Sequence, residues 1–112
     1  MMMHVELLQA LADPTRLQIV GVMKRGECAV AEIVDRVAIH QSGVSRHLRI
    51  LHEAGIVQVR PDGQRRLYSL RPEPFQEIDA WIEGFRRLWD ERLDRFGAAL
   101  ERRKITARKE KP

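Results

Sequence analysis

Residues 41–54, QSGVSRHLRILHEA, constrain the fold most strongly because they specify a two-faced helix followed at once by a stop. At about 100° per residue, the apolar side chains fall on one side of the helix together with His47: Val44, Leu48 and Leu51. The other side carries small hydroxyls and guanidinium groups: Ser42, Ser45, Arg46 and Arg49. Gly55 then ends the helix, since a residue without Cβ readily adopts the left-handed conformation of a helix C-terminus.

A β-hairpin follows this helix. Residues 56–60 (IVQVR) and 65–70 (RRLYSL) predict two strands, and PDGQ between them predicts the turn. Asp62 and Gly63 form the tightest part of that turn, with Gly63 adopting the positive φ that it requires. A helix with a polar outer face that precedes a hairpin is the arrangement of a recognition helix and its wing.

Three shorter helices are predicted before the recognition helix. Residues 5–11 carry an apolar stripe of Val5, Leu7, Leu8 and Leu11. Asp13 and Pro14 are a start signal for a second helix, whose buried side we expect to consist of Leu17, Ile19, Val20 and Met23, and Gly26 ends it. Residues 28–37 predict a third helix with Val30, Ile33, Val34 and Val37 inward, followed by a turn at 38–40. This order is typical of a helix-turn-helix.

A long helix is predicted after Pro72 and Pro74. Its apolar residues recur at spacings of three and four: Phe75, Ile78, Ile82, Phe85, Trp89, Leu93, Phe96 and Leu100. A domain of this size cannot cover so long a stripe, so we expect a two-fold homodimer formed by the first and last helices. The predicted interface consists of Leu7, Leu8, Phe75, Ile78, Ile82, Phe85, Trp89, Leu93 and Phe96. Residues 101–112, ERRKITARKEKP, are expected to be a basic, disordered tail.

The sequence therefore predicts a mainly α fold with a small β-hairpin wing, a winged helix-turn-helix of five helices in one domain over residues 1–100. A length of 112 residues leaves no room for a second core. The apolar runs are too short for a membrane span, the N-terminus lacks the features of a signal peptide, and a single cysteine builds no internal disulfide. We therefore expect a cytoplasmic protein with no membrane partner.

Positive charge is concentrated on the recognition helix and wing. Residues 41–72 hold six basic and two acidic side chains, whereas residues 73–100 hold four basic and seven acidic ones, in a chain of net charge +4. Serine can hydrogen-bond either base edge, and arginine can bind guanine or phosphate through two N–H groups. Double-stranded DNA is therefore the predicted partner.

The candidate DNA-binding residues divide by expected contact. Base edges are assigned to Gln41, Ser42, Ser45 and Arg46, and phosphates or the minor groove to Arg49, Gln64, Arg65 and Arg66. Gly43 and His47 belong to the same surface. Two interpretations of His47 stay open: a ring at the edge of the core satisfied by a hydrogen bond, or a phosphate contact.

Three motifs together resemble the ArsR (SmtB/ArsR) family of bacterial winged-helix repressors. They are Leu11-Ala12-Asp13-Pro14-Thr15-Arg16, the SGVSRHLRIL segment at 42–51, and Ala54-Gly55-Ile56-Val57, and the resemblance covers residues 5–100. It implies a homodimeric repressor that binds a palindromic operator and commonly releases it when an effector binds. The sequence does not identify a small-molecule effector.

The metal-binding residues of that family are missing. Members with a thiolate site carry a Glu-Leu-Cys-Val-Cys-Asp-Leu stretch, whereas this chain has Glu27-Cys28-Ala29-Val30-Ala31-Glu32-Ile33, with alanine at both ligand positions. The last helix, 75–100, contains no histidine for the other family site. Since a soft metal requires several converging thiolate or imidazole ligands, we predict no metal and no cofactor.

Two other functions remain as alternatives, and an enzyme is not among them because no nucleophile with its base, phosphate loop or paired carboxylates is present. The first is a redox-responsive repressor in which Cys28 pairs with a thiol of another chain. The second is a winged-helix protein-interaction module that does not bind DNA.

Overall fold

The computed structural model describes residues 3–110, and the side chains of residues 3–103. Five helices and three strands follow one another in this order: α1 (Val5–Leu11), α2 (Pro14–Val22), β1 (Cys28–Ala29), α3 (Val30–Val37), α4 (Gln41–Glu53), β2 (Val57–Asp62), β3 (Arg65–Leu70) and α5 (Pro72–Glu110). A 3₁₀ turn, Met23–Arg25, follows α2. The predicted fold class, mainly α with five helices and a β wing, is confirmed.

Two compact units make up the chain, Met1–Ile78 and Asp79–Pro112. The first holds the hydrophobic core, in which the side chains of Ile19, Ile33, Val44, Leu48, Leu51 and Ile56 are fully buried. The described part of the second unit is the stretch of α5 from Asp79 onward, and the first residues of α5, up to Ile78, belong to the first unit. No helix among the described residues is both long and apolar enough to cross a membrane.

Helix α2 starts as predicted but buries fewer residues. The Asp13 carboxylate accepts the Arg16 N–H at 3.0 Å, and Pro14 occupies the first turn, where its missing N–H costs nothing. Leu17, predicted to be buried, is 55% exposed because it lies about 200° around the helix from buried Ile19. The helix ends at Val22 rather than near Gly26, and Met23 reaches the core from the 3₁₀ turn.

The predicted third helix begins two residues later than expected. Cys28 and Ala29 form a strand that pairs antiparallel with β3, opposite Tyr68 and Leu67. The Glu32 carboxylate accepts the Ala29 N–H at 3.1 Å, which fixes the start of α3 at Val30. The sheet therefore has three strands in the order β1-β3-β2 instead of the two expected. Of the residues predicted to face inward, Ile33 and Val37 are buried, and Val30 and Val34 pack half-buried against the core.

The wing has the predicted hairpin topology with a tighter turn. Strands β2 and β3 pair from Val57 opposite Leu70 to Asp62 opposite Arg65, which leaves only Gly63 and Gln64 in the loop. Gly63 has a φ of 64°, the conformation that a two-residue hairpin turn requires at its first position.

Helix α5 continues past the end predicted for it. Residues 101–110, expected to be a disordered tail, extend the helix to Glu110. The physical reason lies in the segment ERRKITARKE, which contains neither glycine nor proline and consists mostly of good helix formers. Residues 111 and 112 of the predicted tail lie outside the described residues. The domain boundary at residue 100 stays a prediction.

Candidate nucleic-acid interface

Helix α4 presents one polar face to solvent and is anchored by the other. Val44, Leu48 and Leu51 are completely buried. The opposite face exposes the predicted base-contacting and phosphate-contacting side chains of this helix: Gln41, Ser42, Ser45, Arg46 and Arg49. Because three buried residues fix the helix on the core, the polar face is held rigidly, as direct readout of base edges requires.

The N-terminus of α4 is closed by His40. Its Nδ1 accepts the Ser42 N–H at 3.2 Å and lies 2.9 Å from the Ser42 hydroxyl oxygen. The preceding turn is made by Ala38, whose φ of 55° is left-handed. Gly43, in the first turn of the helix, is half-buried, and a Cβ there would meet the Ile39 Cδ1 at 3.6 Å, an ordinary contact distance. The glycine is therefore not required by packing within the chain.

The arginines of the helix and wing divide into paired and unpaired groups. Within the part of the chain that the structure describes, Arg46, Arg49 and Arg66 make no ion pair or side-chain hydrogen bond. The other three arginines of residues 41–72 have carboxylate partners: Arg60 with Glu27, Arg65 with Asp62, and Arg71 with Glu73. The charge count from the sequence therefore overstates the local positive field, but the unpaired guanidinium groups lie on the two elements expected to bind DNA.

The wing is joined to the segment before β1 by a bidentate ion pair. Arg60 donates from Nε and Nη2 to the two carboxylate oxygens of Glu27 at 2.6 and 2.9 Å. The pair lowers the pKa of Glu27 and raises that of Arg60. Since both N–H groups are aligned with one carboxylate, this contact fixes direction as well as distance. The sequence did not reveal it, because 33 positions separate the two residues.

The wing tip exposes Gln64, Arg65 and Arg66. Arg65 donates to Asp62 at 3.1 Å, and both side chains are largely exposed. An exposed pair of this kind is weak, so a phosphate can displace Asp62 at small cost. Arg66 has no carboxylate partner among the described residues, so it can bind a phosphate without first breaking an ion pair.

His47 lies on the flank of α4 and contacts α2. Its Nδ1 is 3.2 Å from Arg16 Nη1, and Arg16 Nε donates to the carbonyl of Ala10 at the end of α1. The Arg16 backbone N–H, followed by the positive charge of the Arg16 side chain, lowers the pKa of Asp13 beside this cluster. The hydrogen bond to Arg16 agrees with the core-edge interpretation of His47, while the phosphate contact stays a prediction.

Cys28 is buried, and its thiol is directed at the carbonyl oxygens of Gly26 and Val22. Burial raises the pKa of the thiol, and the nearby Glu32 carboxylate raises it further. The reactive thiolate form is thereby disfavoured. Among the described residues, no group of three or more His, Cys, Asp and Glu side chains is placed to hold a metal ion.

The predicted dimer residues separate into exposed and covered ones. Leu7 is buried in the core of its own chain, and Phe75 and Ile78 pack half-buried against that core. Leu8 is 39% exposed. The side chains further along α5 are exposed over 44–63% of their surface: Ile82, Phe85, Trp89, Leu93 and Phe96.

Sequence reasoning missed two apolar side chains beside that stripe, Trp81 and Leu88, both also exposed. The Trp81 ring meets Phe85 edge-on, with centroids 5.2 Å apart, and the Arg92 guanidinium lies 5.4 Å from the centroid of Trp89. Their spacing of seven residues, about two helical turns, is the sequence pattern that would have placed Trp81 and Leu88 together on the margin of the stripe.

Comparison with known proteins agrees with this architecture. Residues 13–59, which span α2 to the start of β2, match the family described as "Bacterial regulatory protein, arsR family". The chain is 39% identical to the arsenic resistance transcriptional regulator ArsR1 of Pseudomonas putida over 70% of its own length and 62% of that protein, slightly under two thirds of it. It is 30% identical to the transcriptional repressor SdpR of Bacillus subtilis, over 70% of this chain and 88% of that one.

Solved structures show the same likeness. A crystal structure titled as a possible transcriptional regulator for arsenical resistance is 35% identical, with a TM-score of 0.65 over 84% of this chain and 95% of that chain. The exposed polar face of α4, the wing and these similarities identify the chain as a member of the ArsR family, DNA-binding winged helix-turn-helix transcriptional regulators that are not enzymes.

Proposed function

We propose that the chain acts as a homodimeric repressor that binds a two-fold symmetric operator. The observation that carries this proposal is the exposed face of α4. There, hydroxyl groups and the unpaired guanidinium groups of Arg46 and Arg49 lie together on a helix that three fully buried residues hold in place. In such a dimer, the two copies of α4 enter successive major grooves about 34 Å apart.

Each side chain has a proposed role in the complex. Gln41, Ser42, Ser45 and Arg46 bind base edges, because they occupy the exposed face in the N-terminal half of α4. Arg49 and the wing residues bind phosphates or the minor groove: Gln64, Arg65 and Arg66. Gly43 and His47 lie on one flank of the helix, where the groove wall passes.

A second copy of the chain covers the apolar stripe of α5, defined as Ile82, Phe85, Trp89, Leu93 and Phe96, with Trp81 and Leu88 at its margin. Seven large apolar side chains on one helix, each more than 40% exposed, are more than a soluble monomer ordinarily leaves in water. A two-fold axis lets the same stripe serve both subunits, and it supplies the two α4 helices that an operator with two half-sites requires. The dimer would act in the cytoplasm, where bacterial DNA is found.

The proposal is tested by footprinting the purified protein on the DNA upstream of its own gene. We expect one protected region with two inverted half-sites whose centres lie about one helical turn, or a multiple of it, apart. Transcription from that DNA with purified RNA polymerase should fall as the protein is added. Increased transcription would refute repression, and a uniform, sequence-independent footprint would refute the assigned base contacts.

The same experiment separates the alternatives. A protein-interaction module predicts no protected site at any salt concentration. A redox-responsive repressor predicts that reductant changes the affinity, whereas buried Cys28, with its raised pKa, predicts equal affinity with and without reductant.

A further inference from the structure

Arg16 connects three helices through a single guanidinium group. Its backbone belongs to α2, its Nε donates to the Ala10 carbonyl in α1, and its Nη1 lies 3.2 Å from His47 Nδ1 in α4. The guanidinium is planar, and its N–H groups point in fixed directions. Because the guanidinium is rigid, the hydrogen bond from Arg16 Nε to Ala10 also sets the position of the Arg16 Nη1 N–H that is directed at the His47 ring.

This contact determines which ring nitrogen of His47 carries the proton. A guanidinium group is a donor only, so the His47 Nδ1 that it meets must act as the acceptor and cannot carry a hydrogen. In the neutral ring, the hydrogen then sits on Nε2. Among the described residues, Nε2 has no hydrogen-bond partner. It is also not a buried atom, because no buried side-chain nitrogen or oxygen of these residues lacks a partner. The ring therefore presents an unpaired N–H to the solvent.

We propose that Arg16 is a positioning residue that holds His47 as the neutral Nε2–H tautomer, so that the ring donates a hydrogen bond to a backbone phosphate of the operator. The proposal rests on the proposed function. His47 follows Gly43 by one helical turn and lies on the same flank of α4, beside the face that carries Arg46. A hydrogen-bond donor on that flank faces the phosphates along the wall of the groove rather than the base edges on its floor.

An uncharged donor differs from an arginine in a measurable way. Each cationic contact with a phosphate releases counterions and steepens the salt dependence of binding, by about 0.9 in the slope for each phosphate neutralised. A neutral imidazole N–H contributes affinity without neutralising a phosphate. The loss of His47 should therefore weaken binding while the salt slope stays the same.

The tautomer is measured directly by ¹⁵N NMR of the histidine rings in the full-length protein at pH 8, where an ordinary imidazole is neutral. We expect His47 to show a protonated Nε2 and an unprotonated Nδ1. Arg16→Met should let both tautomers appear, because the donor that selects one of them is gone. A protonated Nδ1 in the wild-type protein would overturn the proposal without any variant being needed.

The phosphate contact is measured with two variants that carry the same amide group on side chains of different length. The amide nitrogen of Gln can occupy the position of imidazole Nε2, whereas that of Asn can reach only the position of Nδ1. Operator affinity should remain within about threefold for His47→Gln and fall about tenfold for His47→Asn, the loss expected for one hydrogen bond to a charged acceptor. The salt slope should not change in either variant, while Arg49→Gln should reduce it by about one.

Combining Arg16→Met with His47→Asn tests whether Arg16 acts through the ring. The double variant should bind no more weakly than His47→Asn alone, because the two residues belong to one interaction. Circular dichroism verifies the fold, and the wild-type spectrum and the His47 variants give their results even where Arg16→Met does not fold. Equal losses for Gln and Asn, additive losses in the double variant, or a reduced slope for His47→Asn would overturn the inference while the proposed function stands. If the wild-type protein protects no DNA, the proposed function fails and the phosphate contact fails with it.

Discussion

Substituting Gly43 by alanine should stabilise the protein and weaken its binding to DNA. The added Cβ meets only the Ile39 Cδ1 at 3.6 Å, which is ordinary van der Waals contact, and Gly43 has no positive φ that alanine would strain. The packing of the chain itself therefore accepts the methyl group. A glycine at a position where alanine fits is expected where another molecule comes close to the backbone.

The gain in stability follows from helix propensity. Alanine is favoured over glycine by about 1 kcal/mol in a helix interior, and by somewhat less in the first turn, where Gly43 lies. We expect the free energy of unfolding to rise by about 0.5–1 kcal/mol. For a domain of this size, that corresponds to an increase in Tm of roughly 2–6 °C.

The loss of binding has a steric cause. Gly43 lies on the flank of α4 that also carries His47, so a methyl group there would push the helix away from the groove wall and lengthen the neighbouring contacts. We expect operator affinity to fall by about 1 kcal/mol or more, the size of one weakened phosphate hydrogen bond. In fluorescence anisotropy, this is a loss of about fivefold or more.

The matched control is Gly21→Ala in α2. Nothing lies within 4 Å of a Cβ at Gly21, so this variant should gain a similar increase in Tm and keep its DNA affinity. Unchanged affinity in Gly43→Ala would remove Gly43 from the DNA-binding surface. A lower Tm would show that the helix-propensity argument fails at this position.

Four further predictions address the remaining residues. Arg46→Ala should weaken operator binding by about 1–3 kcal/mol and relax the preference at one base pair. The control Arg87→Ala, which removes a 93% exposed side chain of α5, should leave operator affinity unchanged; equal losses of affinity in the two variants would assign Arg46 only a general charge effect. Leu48→Ala should lower the free energy of unfolding by about 2–5 kcal/mol in urea titrations because the side chain is completely buried, and a change below 1 kcal/mol would contradict the described core. The Arg60 contact lowers the pKa of Glu27, so the ion pair stabilises the protein above pH 4.5, the usual pKa of a glutamate, and this stabilisation is lost as the pH falls through the lowered pKa. The difference in Tm between the wild type and Glu27→Gln should therefore be constant at neutral pH and shrink in acid, and a difference that widens in acid would refute the pair. Buried Cys28, whose pKa is raised, should react with iodoacetamide at pH 7.5 at least several-fold more slowly than free cysteine, and rapid reaction would restore the redox alternative.

Local patterns were sufficient to predict α4 and the hairpin. The spacing of Val44, Leu48 and Leu51 defines one helix face, and Gly63 marks the turn that the strand register confirms. Strand β1 could not be found in the same way, because two residues are too short to show an alternating pattern. Cys28 and Ala29 become a strand only when Tyr68 and Leu67, far along the chain, lie beside them.

The candidate site shows the same division. The sequence predicts which residues α4 exposes, because helical periodicity is local. It does not predict which arginines are neutralised, since Glu27 and Arg60 meet only after the wing folds back. The contact between Arg16 and His47 likewise depends on how α2 and α4 cross. The sequence did not predict that α5 extends to Glu110, because residues 101–110 are basic and show no clear apolar pattern, although Arg, Lys, Glu and Ala are good helix formers.

Sedimentation velocity on one operator duplex tests the central claim most directly, because it measures binding and stoichiometry together. We expect the free protein to sediment as a dimer and the complex at 50 mM salt to contain two chains per duplex. A double change in the apolar stripe of α5, Phe85→Ser with Trp89→Ser, should abolish both results. A wild-type protein that sediments as a monomer, or that leaves the duplex unbound at this salt concentration, would contradict the account.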